Sequence, residues 1–413
     1  MSRAGEQPAG TPPAGRPAEL RVLGMLSGTS ADAIDVAVAR IGDDGAGRAW
    51  LEPLGHGEIA WPPGLRERVL ASMPPAPVDM LDVCELDTLL GQAFADGATA
   101  AISRWGPVDL IASHGQTLAH WTGAGQALGT LQLGAPAWIN AATGVPVISH
   151  LRSGDIARGG HGAPLASTLD ALWLGGQPTA VVNIGGIANL TMLGDGRVLT
   201  GDTGPGNCLI DVAAHRLTGA AYDDGGALAA AGRVDQDALQ ALLTDDFYSL
   251  PMPRSTGREY FDAGYVTRVL QRAGVPVPAG EDLIATLTEL TARTIAGAVR
   301  VVGDMPAPTR VVVSGGGAAN PVLMRALARH LPGVQTSTES GLPAGAKEGY
   351  LFALLGYLGA RGLPGTVPAD APGTVQATGS RGPVVLGSLT PPAPAPCPAG
   401  SVAITSLAVG SGT

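Results

Sequence analysis

The chain has 413 residues, of which 45% are hydrophobic and 15% charged, and its formal net charge is −10. The length allows two domains, and the hydrophobic share excludes a polar, disordered chain. The acidic balance without a Lys/Arg cluster argues against a nucleic-acid partner, and the three scattered cysteines argue against a disulfide framework or a zinc cluster.

Short β-rich segments alternate with helical ones between two Pro-rich ends, a pattern typical of an α/β architecture. The ends, residues 1–19 and 391–413, are predicted to be disordered tails outside the fold. Strands are predicted at Leu20–Met25, Ile34–Ile41, Leu110–Ala112, Val145–Ser149, Thr179–Ile184, Asn189–Met192 and Arg310–Val313. Helices are predicted at Val78–Trp105, Pro164–Trp173, Asn207–Leu217, Gln236–Leu243, Phe261–Ala273, Glu281–Val302, Pro321–His330 and Ala346–Ala360.

Each half of the chain opens with a strand, a glycine-rich turn and a second strand, over residues 23–38 and 181–193. A duplicated fold would produce this pattern, although two such hairpins are also common in α/β proteins. The cleft between the halves is the expected site. Because the sequence has no stretch of about 18 apolar residues and no secretory signal, we expect a cytoplasmic protein without a membrane partner.

Two glycine-rich loops, Gly24–Asp32 and Gly201–Asn207, are candidates for binding phosphate. Glycine lets a phosphate approach main-chain N–H groups, and neighbouring Ser and Thr hydroxyls add donors, so such loops need no lysine. Each loop taken alone is more often an ordinary turn. Together they predict two lobes that close on one nucleotide.

Several carboxylates accompany these loops. Asp202 lies between an apolar strand and the second loop, where it could act as a general base or, equally, cap the turn as a structural acid. Asp211, on the following helix, is more often a solvated or capping acid. Asp32 and Asp35 follow the first loop at a spacing that puts them on opposite faces of an extended segment. Asp32, nearer the loop, could hold Mg²⁺ through a water, with a plain turn acid as the alternative.

A third loop, Ser314–Pro321, contains three consecutive glycines between an all-valine strand and a helix. Glycine there permits an adenine or ribose to lie flat on the backbone. The alternative is a tight turn capped by Asn320, with Pro321 at the first helical position, which needs no ligand. The two interpretations are compatible with each other.

Polar residues follow two further predicted strands. Ser113, His114 and Gln116 stand at a strand end, where α/β proteins gather ligands, and are candidates for sugar contact. Arg152 and Asp155 form a comparable polar pair, with a surface ion pair as the alternative. The histidine spacing is not that of a zinc-binding helix, and the sequence has no Walker-type loop, nucleophile elbow or zincin motif.

Taken in chain order, these motifs resemble those of the anhydro-N-acetylmuramic acid kinases of the sugar kinase, Hsp70 and actin superfamily. The resemblance covers residues 21–391 and rests on Gly24–Asp32, Ser113–Thr117, Arg152 with Asp155, Gly159–Pro164, Asn183–Asn189, Asp202–Asn207, Ser255–Glu259, Ser314–Pro321 and Lys347–Glu348. It implies a two-lobed actin-like ATPase (ribonuclease H-like) α/β fold with an inter-lobe active-site cleft. Lobe I would span residues 20–147, completed by about 368–390, and lobe II residues 148–367.

The resemblance also implies an activity. Family members are ATP-dependent kinases that open the 1,6-anhydro ring of anhydro-N-acetylmuramic acid with water and phosphorylate O6, in the recycling of cell-wall peptidoglycan. ATP and Mg²⁺ would be the cofactors, the amino sugar the substrate, and a homodimer the assembly. Asp202 matches the general base, and substrate contacts would come from Ser113, His114, Gln116, Arg152, Asp155 and Glu348. Nucleotide contacts are implied for Gly28, Thr29, Ser30, Ala31, Asp32, Ala33, Ile34, Asp35, Gly204, Gly206, Asn207, Gly315, Gly316 and Gly317.

Four positions depart from the family pattern. Ala33 stands where a glycine is usual, and His150, His161 and Gly201 stand where Asp, Gln and Phe are usual. These changes keep two alternatives open, a kinase for another sugar or a carboxylate, and a non-catalytic ATP-binding regulator. The regulator would be expected to lack the base, whereas Asp202 is present.

Overall fold

The computed structural model describes residues 19–28, 30–45, 47–123, 126–252, 254–301, 305–367 and 376–392. The predicted tails lie outside these ranges except for residues 19, 391 and 392. Thr29, and residues 368–375 of the segment expected to complete lobe I, also lie outside them. Among the described helices, none has the length and apolar character needed to cross a membrane.

The described residues form two β-sheets flanked by α-helices. The strands are β1 (Glu19–Ser27), β2 (Ile34–Asp43), β3 (Ala49–Ile59), β4 (Leu110–Gly123), β5 (Gln126–Leu133), β6 (Val147–Ser149), β7 (Thr179–Ile184), β8 (Ile187–Gly194), β9 (Arg197–Pro205), β10 (Arg310–Ser314), β11 (Val334–Thr336) and β12 (Ser388–Thr390). The helices are α1 (Leu65–Ala71), α2 (Met80–Trp105), α3 (Pro136–Thr143), α4 (Ser153–Ala157), α5 (Ala166–Leu174), α6 (Cys208–Thr218), α7 (Ala227–Ala231), α8 (Gln236–Leu242), α9 (Tyr265–Ala273), α10 (Gly280–Arg300), α11 (Pro321–His330) and α12 (Lys347–Arg361).

The two sheets repeat one strand order. In the first sheet the order is β12-β6-β4-β1-β2-β3, with β5 paired to β4, and in the second it is β11-β10-β7-β8-β9. Each sheet begins with an antiparallel meander, β1-β2-β3 or β7-β8-β9, and continues with two parallel strands beside the first strand of that meander. The predicted α/β class is therefore confirmed, the repeated strand order is the pattern expected of a duplicated fold, and each predicted hairpin is the start of one meander.

Alternate strand residues face opposite helical layers, as the pleat of a strand requires. In β1, Leu23 and Met25 pack on α2, whereas Val22 and Leu26 pack on α12. In the second sheet, one face of β7 and β8 packs on α10 and α11, and the other face packs on α5. Trp173 of α5 contacts both the α12 cluster and the second sheet. The layers therefore run α2, first sheet, α12, α5, second sheet, α10 with α11.

Helix α12 packs directly against the first sheet because the residues at the contact are small and leave no bulky side chain between the helix and the sheet. A Cβ added at Gly24 of β1 would come within 2.0 Å of the carbonyl oxygen of Gly349, and one added at Gly349 within 2.7 Å of Ala37. The helix ends at Gly362, whose φ of 69° is left-handed. The predicted lobe boundaries at residues 147 and 367 stay a prediction, and this packing is an argument for assigning α12 to lobe I.

Every predicted strand and helix overlaps an observed element of the same type. The interpretation of Gly201–Asn207 as a turn is wrong, because β9 continues as a paired strand to Pro205. Its glycines serve close packing instead of a turn: a Cβ at Gly201 would lie 3.0 Å from the backbone nitrogen of Arg254, and one at Gly204 would lie 2.8 Å from the Tyr248 ring.

Candidate active site

A cleft of about 1830 Å³ is lined by residues from both sheets. The β1–β2 turn and β4 contribute from the first sheet, and the β7–β8 turn, β9 and the segment 254–259 contribute from the second. Residues of α5, the first turn of α12 and the segment 376–379 also line it. The site expected between the two halves of the chain therefore lies where side chains of both halves meet.

Asp202 lies on the cleft wall, in β9. Its Oδ2 accepts hydrogen bonds from the backbone N–H of Thr256 at 2.8 Å and from the Ser255 hydroxyl at 3.2 Å. Its own N–H donates to the Arg254 carbonyl at 2.8 Å. Burial raises the pKa of Asp202, while the two hydrogen bonds and the Arg254 charge act to lower it. One carboxylate oxygen is thus held, and Oδ1 has no hydrogen-bond partner among the described residues.

The β1–β2 turn reaches the cleft with Gly28, Ser30, Ala31 and Asp32. Ala31 is buried with a φ of 49°, an uncommon conformation for a residue with a Cβ. Its carbonyl accepts from Arg66 Nε at 3.1 Å and from an indole N–H at 2.9 Å. Arg66 Nη2 also donates to the Ser30 carbonyl at 3.2 Å and to Asp32 Oδ1 at 2.7 Å. The turn is therefore held by one arginine, which also lines the cleft, and by one tryptophan.

The residues that follow this turn point elsewhere. Ile34 is fully buried in the core between the first sheet and α2. Asp35 is paired across the strands with Glu58, and burial, with Glu58 and Glu348 adding repulsion, raises the pKa of Asp35 to about 7. Ala33, Ile34 and Asp35 are not among the cleft-lining residues, so their predicted nucleotide contact stays a prediction.

In the second predicted phosphate loop, Gly201–Asn207, two backbone N–H groups already form hydrogen bonds within the protein. The backbone N–H of Gly206 donates to the Gly186 carbonyl at 2.9 Å, and that of Asn207 donates to the Gly185 carbonyl at 2.8 Å. The turn that lines the cleft on this side is instead Gly185–Gly186, between β7 and β8. Sequence reasoning gave this turn no role, although two adjacent glycines at the hairpin position equivalent to Gly28 were a usable signal. Contacts from Gly204, Gly206 and Asn207 stay predictions.

The third loop is a short 3₁₀ turn, Gly316–Ala319, that leads into α11. The predicted cap is confirmed: the Asn320 side chain accepts from the N–H groups of Val322 and Leu323, and Pro321 is at the first helical position. A Cβ at Gly317 would lie 2.3 Å from the Ile184 side chain, so close packing alone requires small residues here. The predicted adenosine contact of Gly315, Gly316 and Gly317 stays a prediction.

His114 and Arg152 meet at the cleft wall. Arg152 Nε donates to His114 Nε2 at 2.7 Å, and Arg152 Nη1 donates to the Gly162 carbonyl at 2.6 Å. Burial, with the Arg152 charge adding to it, lowers the pKa of His114 to about 3. His114 is therefore neutral, with its proton on Nδ1, which faces the Gly115 carbonyl at 3.2 Å.

The other predicted sugar contacts are buried. Asp155 is fully buried, and its two oxygens accept from the Gly162 N–H at 2.8 Å and the Thr378 hydroxyl at 2.5 Å. It therefore joins two cleft-lining loops and does not pair with Arg152, so the alternative of a surface ion pair is wrong. Ser113 Oγ and Gln116 Oε1 are buried without a hydrogen-bond partner among the described residues. Contact of these residues with substrate stays a prediction.

The first turn of α12 brings two charges into the cleft. Glu348 is exposed to the cleft, but the surrounding protein reduces the hydration of its carboxylate and raises its pKa, while the charges of Arg152 and Lys347 act against that rise. Lys347 Nζ lies 2.6 Å from Asp170 Oδ1 of α5, with side chains only 8% and 2% exposed. This ion pair, which sequence reasoning missed, joins the two helices between the sheets. Within the described ranges, no group of three or more His, Cys, Asp or Glu side chains could hold a metal ion.

The departures from the family pattern are distributed unevenly about the cleft. His161 lines it, and its ring lies 3.0 Å from the position that a Cβ at Gly379 would take. His150, with a φ of 54°, and Ala33 do not line it. Gly201 lines it beside the candidate base.

Comparisons with known proteins show which proteins the chain is similar to. A family model described as anhydro-N-acetylmuramic acid kinase matches residues 20–392. The chain is 51% identical to the anhydro-N-acetylmuramic acid kinase of Streptomyces avermitilis, over 90% of this chain and 94% of that one. It is 45% identical to the enzyme of the same description from Rhodococcus erythropolis, again over 90% and 94%. A ROK family glucokinase from Streptomyces griseus, solved with glucose and AMPPNP, aligns over 82% of this chain and 99% of its own with 12% identity and a TM-score of 0.34.

Proposed function

The chain belongs to the anhydro-N-acetylmuramic acid kinase family, and we propose that its cleft couples hydrolysis of a 1,6-anhydro sugar to phosphoryl transfer from ATP. The substrate is 1,6-anhydro-N-acetylmuramic acid and the products are N-acetylmuramic acid 6-phosphate and ADP, in peptidoglycan recycling. The observation that carries the proposal is the Asp202 carboxylate, which lines a cleft bordered by glycine turns of both sheets and is held through Oδ2 alone among the described residues.

Asp202 is the general base in this mechanism. Its Oδ1 takes a proton from a water molecule as that water attacks C1 of the sugar. The C1–O6 bond breaks, its electrons go to O6, and O6 attacks the γ-phosphorus of ATP while the bond to the ADP oxygen breaks. Ring opening thus supplies the nucleophile, and the protein contributes positioning and charge stabilisation.

The glycine turns hold the nucleotide. Gly28 and Ser30 from the first sheet and Gly185–Gly186 from the second offer backbone close to the phosphates. Asp32 is suited to a hydrated Mg²⁺, because Arg66 binds only its Oδ1 and Oδ2 has no hydrogen-bond partner among the described residues. Mg²⁺, when bound, neutralises charge on the phosphate oxygens. Glu348, His114 and Arg152 contact the sugar.

The wider setting follows from the reaction. Closure of the two lobes excludes bulk water and limits wasteful ATP hydrolysis. A cytoplasmic location suits an enzyme that uses ATP and returns a cell-wall sugar to metabolism. The homodimer implied by the family resemblance is part of the same proposal, and its check is the mass of the purified protein in solution.

A mass-spectrometric assay tests the function directly. Purified protein is incubated with Mg-ATP and 1,6-anhydro-N-acetylmuramic acid in ¹⁸O-water, and we expect a 6-phosphate that carries ¹⁸O at C1. An unlabelled 6-phosphate would contradict the coupled hydrolysis. If ATP binds but the anhydro sugar is unchanged, the same assay with other sugars and carboxylates separates a different kinase from a non-catalytic regulator.

A further inference from the structure

The cations that line the cleft are mostly committed to partners. Arg66 binds the first turn and Asp32, and Arg152 binds His114 and a carbonyl. Lys347 is paired with Asp170. Arg254 is engaged with backbone carbonyls on all three guanidinium nitrogens. Each of these four side chains is held in place by contacts with the protein.

Arg258 is the exception. It lines the cleft and is exposed, and its guanidinium forms no hydrogen bond or ion pair with any described residue. Burial raises the pKa of the partly buried Asp211 to about 6, and the positive charge of Arg258 acts to lower that pKa. The cation is therefore available to an anionic ligand in the cleft.

The position of Arg258 is set by the second glycine turn. A Cβ at Gly186 would come within 2.5 Å of Arg258 Nε and 2.6 Å of Nη2, so the guanidinium lies against the bare backbone of that turn. The absence of a side chain at Gly186 leaves the space that the guanidinium occupies. The cation and the turn that faces the nucleotide phosphates therefore form one surface.

The segment that carries Arg258 is fixed at both ends. Arg254 donates to the carbonyls of Phe247, Tyr248, Leu250, Asp202 and Thr203, at distances from 2.8 to 3.4 Å. At the other end, the Gly257 carbonyl accepts from the N–H groups of Tyr260 and Phe261, and Phe261 is fully packed in the core. Between these anchors, Thr256 and Ser255 hold Asp202. One rigid segment thus holds the candidate base and presents the arginine.

We propose that Arg258 is a catalytic residue that contacts the transferred phosphoryl group and stabilises the negative charge on its oxygens. The inference rests on the proposed kinase function and adds a residue to it. Neither glycine turn carries a lysine, so a guanidinium supplied from the same chain would fill the role of the charge stabiliser in phosphoryl transfer. An alternative anion with the same chemistry is the carboxylate of the sugar substrate, which the experiment separates.

Steady-state kinetics of Arg258→Ala and Arg258→Lys test the proposal, with Arg325→Ala as the matched control. Arg325 is exposed on α11 and does not line the cleft. We expect Arg258→Ala to lower kcat by about 10²- to 10³-fold with KM for both substrates changed less than about threefold. Added guanidinium ion should restore at least about tenfold of the lost activity, because it can occupy the vacated position. Arg258→Lys should retain an intermediate rate, since it keeps the charge and loses the planar fork.

A binding measurement keeps the proposal testable even if the sugar assignment fails. Calorimetry with Mg-ADP and aluminium fluoride, which mimics the transferred phosphoryl group, should show weaker binding to Arg258→Ala than to the wild type, while Mg-ADP alone binds equally. A wild-type enzyme that makes no product would overturn the proposed function and leave this comparison intact. The role of Arg258 is overturned by equal aluminium fluoride binding, by an unchanged kcat, or by a loss confined to KM for the sugar, which would assign the guanidinium to the sugar carboxylate.

Discussion

The two sheets share one strand order and differ in how their hairpin turns are equipped. In the first sheet, the Arg66 side chain holds the β1–β2 turn through two carbonyls and Asp32. In the second, backbone N–H groups hold the Gly185–Gly186 turn, the Arg258 guanidinium lies against it, and Asp202 lines the same cleft. The shared strand order places one hairpin turn of each sheet at the cleft, and the side chains proposed for catalysis, Asp202 and Arg258, both come from the second half of the chain.

The helices between the sheets extend the comparison. Helix α5 follows the first sheet in the chain but packs on the second, whereas α12 follows the second and packs on the first. The two helices thus lie against each other between the sheets, and the Lys347–Asp170 pair joins them. The packing of α5 on α12 therefore couples the two sheets.

The substitution with the greatest expected effect compares Asp202, the proposed general base on β9, with an ordinary carboxylate in the β8–β9 turn. Asp202→Asn removes the base and should lower kcat by about 10³-fold, measured as 6-phosphate formed by the purified variant. Asp195→Asn is the control, because Asp195 lies in the exposed β8–β9 turn with a φ of 53°, which Asn tolerates equally well. If Asp202→Asn retains a tenth of the wild-type rate, another group is the base and the chemical asymmetry between the sheets is lost.

The second prediction concerns the layer that joins the halves. Lys347→Met leaves the Asp170 carboxylate buried without its partner and should lower the free energy of unfolding by about 3 kcal/mol, measured by urea denaturation. Asp170→Leu combined with Lys347→Met should recover most of that loss, since neither charge remains. Arg68→Met breaks the exposed pair with Glu85 and should cost less than about 1 kcal/mol. Equal losses in the buried and exposed variants would contradict a special role for the crossing helices.

The third prediction compares glycines of the two halves. Gly24→Ala would place a Cβ 2.0 Å from the Gly349 carbonyl oxygen, so α12 must move away from the first sheet, at a cost of about 1–3 kcal/mol. Gly297→Ala in α10 meets nothing within 4 Å and should stabilise the helix by up to about 1 kcal/mol. Thermal unfolding of both variants is the measurement. A stable Gly24→Ala protein would mean that the helix and sheet are less closely packed than the distances indicate.

The sequence predicted elements better than it predicted what glycines do in them. Hydrophobic periodicity located α2, α10 and α12, because a buried helix face leaves a regular pattern. It missed β3, a half-exposed edge strand in which Pro53 interrupts the pattern, as edge strands allow. The glycine-rich stretches were predicted to be turns. The stretch that begins at Gly201 is instead part of strand β9, and Gly201 lets the backbone of Arg254 approach closely. Composition cannot distinguish a glycine that is required because its φ is positive from one that is required because another part of the protein packs closely against it.

The sequence could not predict contacts between residues that are distant in the chain. The motif that contains Asp155 was visible, but its buried bond to Thr378 depends on a residue more than 200 positions away. The Lys347–Asp170 ion pair and the contact of Arg66 with the first turn likewise join residues that are not neighbours in the sequence. Asp202 could be selected as a candidate base from its flanks and from the family resemblance, whereas the hydrogen bonds that hold its carboxylate required the fold.

The last prediction has the smallest expected effect and concerns one hydrogen bond, from the Ser255 hydroxyl to the Asp202 carboxylate. Ser255→Ala removes a donor to Asp202 Oδ2 that acts to lower the pKa of a carboxylate already raised by burial, so the pKa should rise further. A general base must be deprotonated, and activity is lost as the pH falls through its pKa. The acidic limb of the kcat/KM profile should therefore move to higher pH, with a loss of less than about tenfold at neutral pH. Ser255→Thr keeps the hydroxyl and should keep the wild-type profile. An acidic limb that does not move in Ser255→Ala, while Asp202→Asn remains inactive, would mean that the Thr256 N–H alone positions the base.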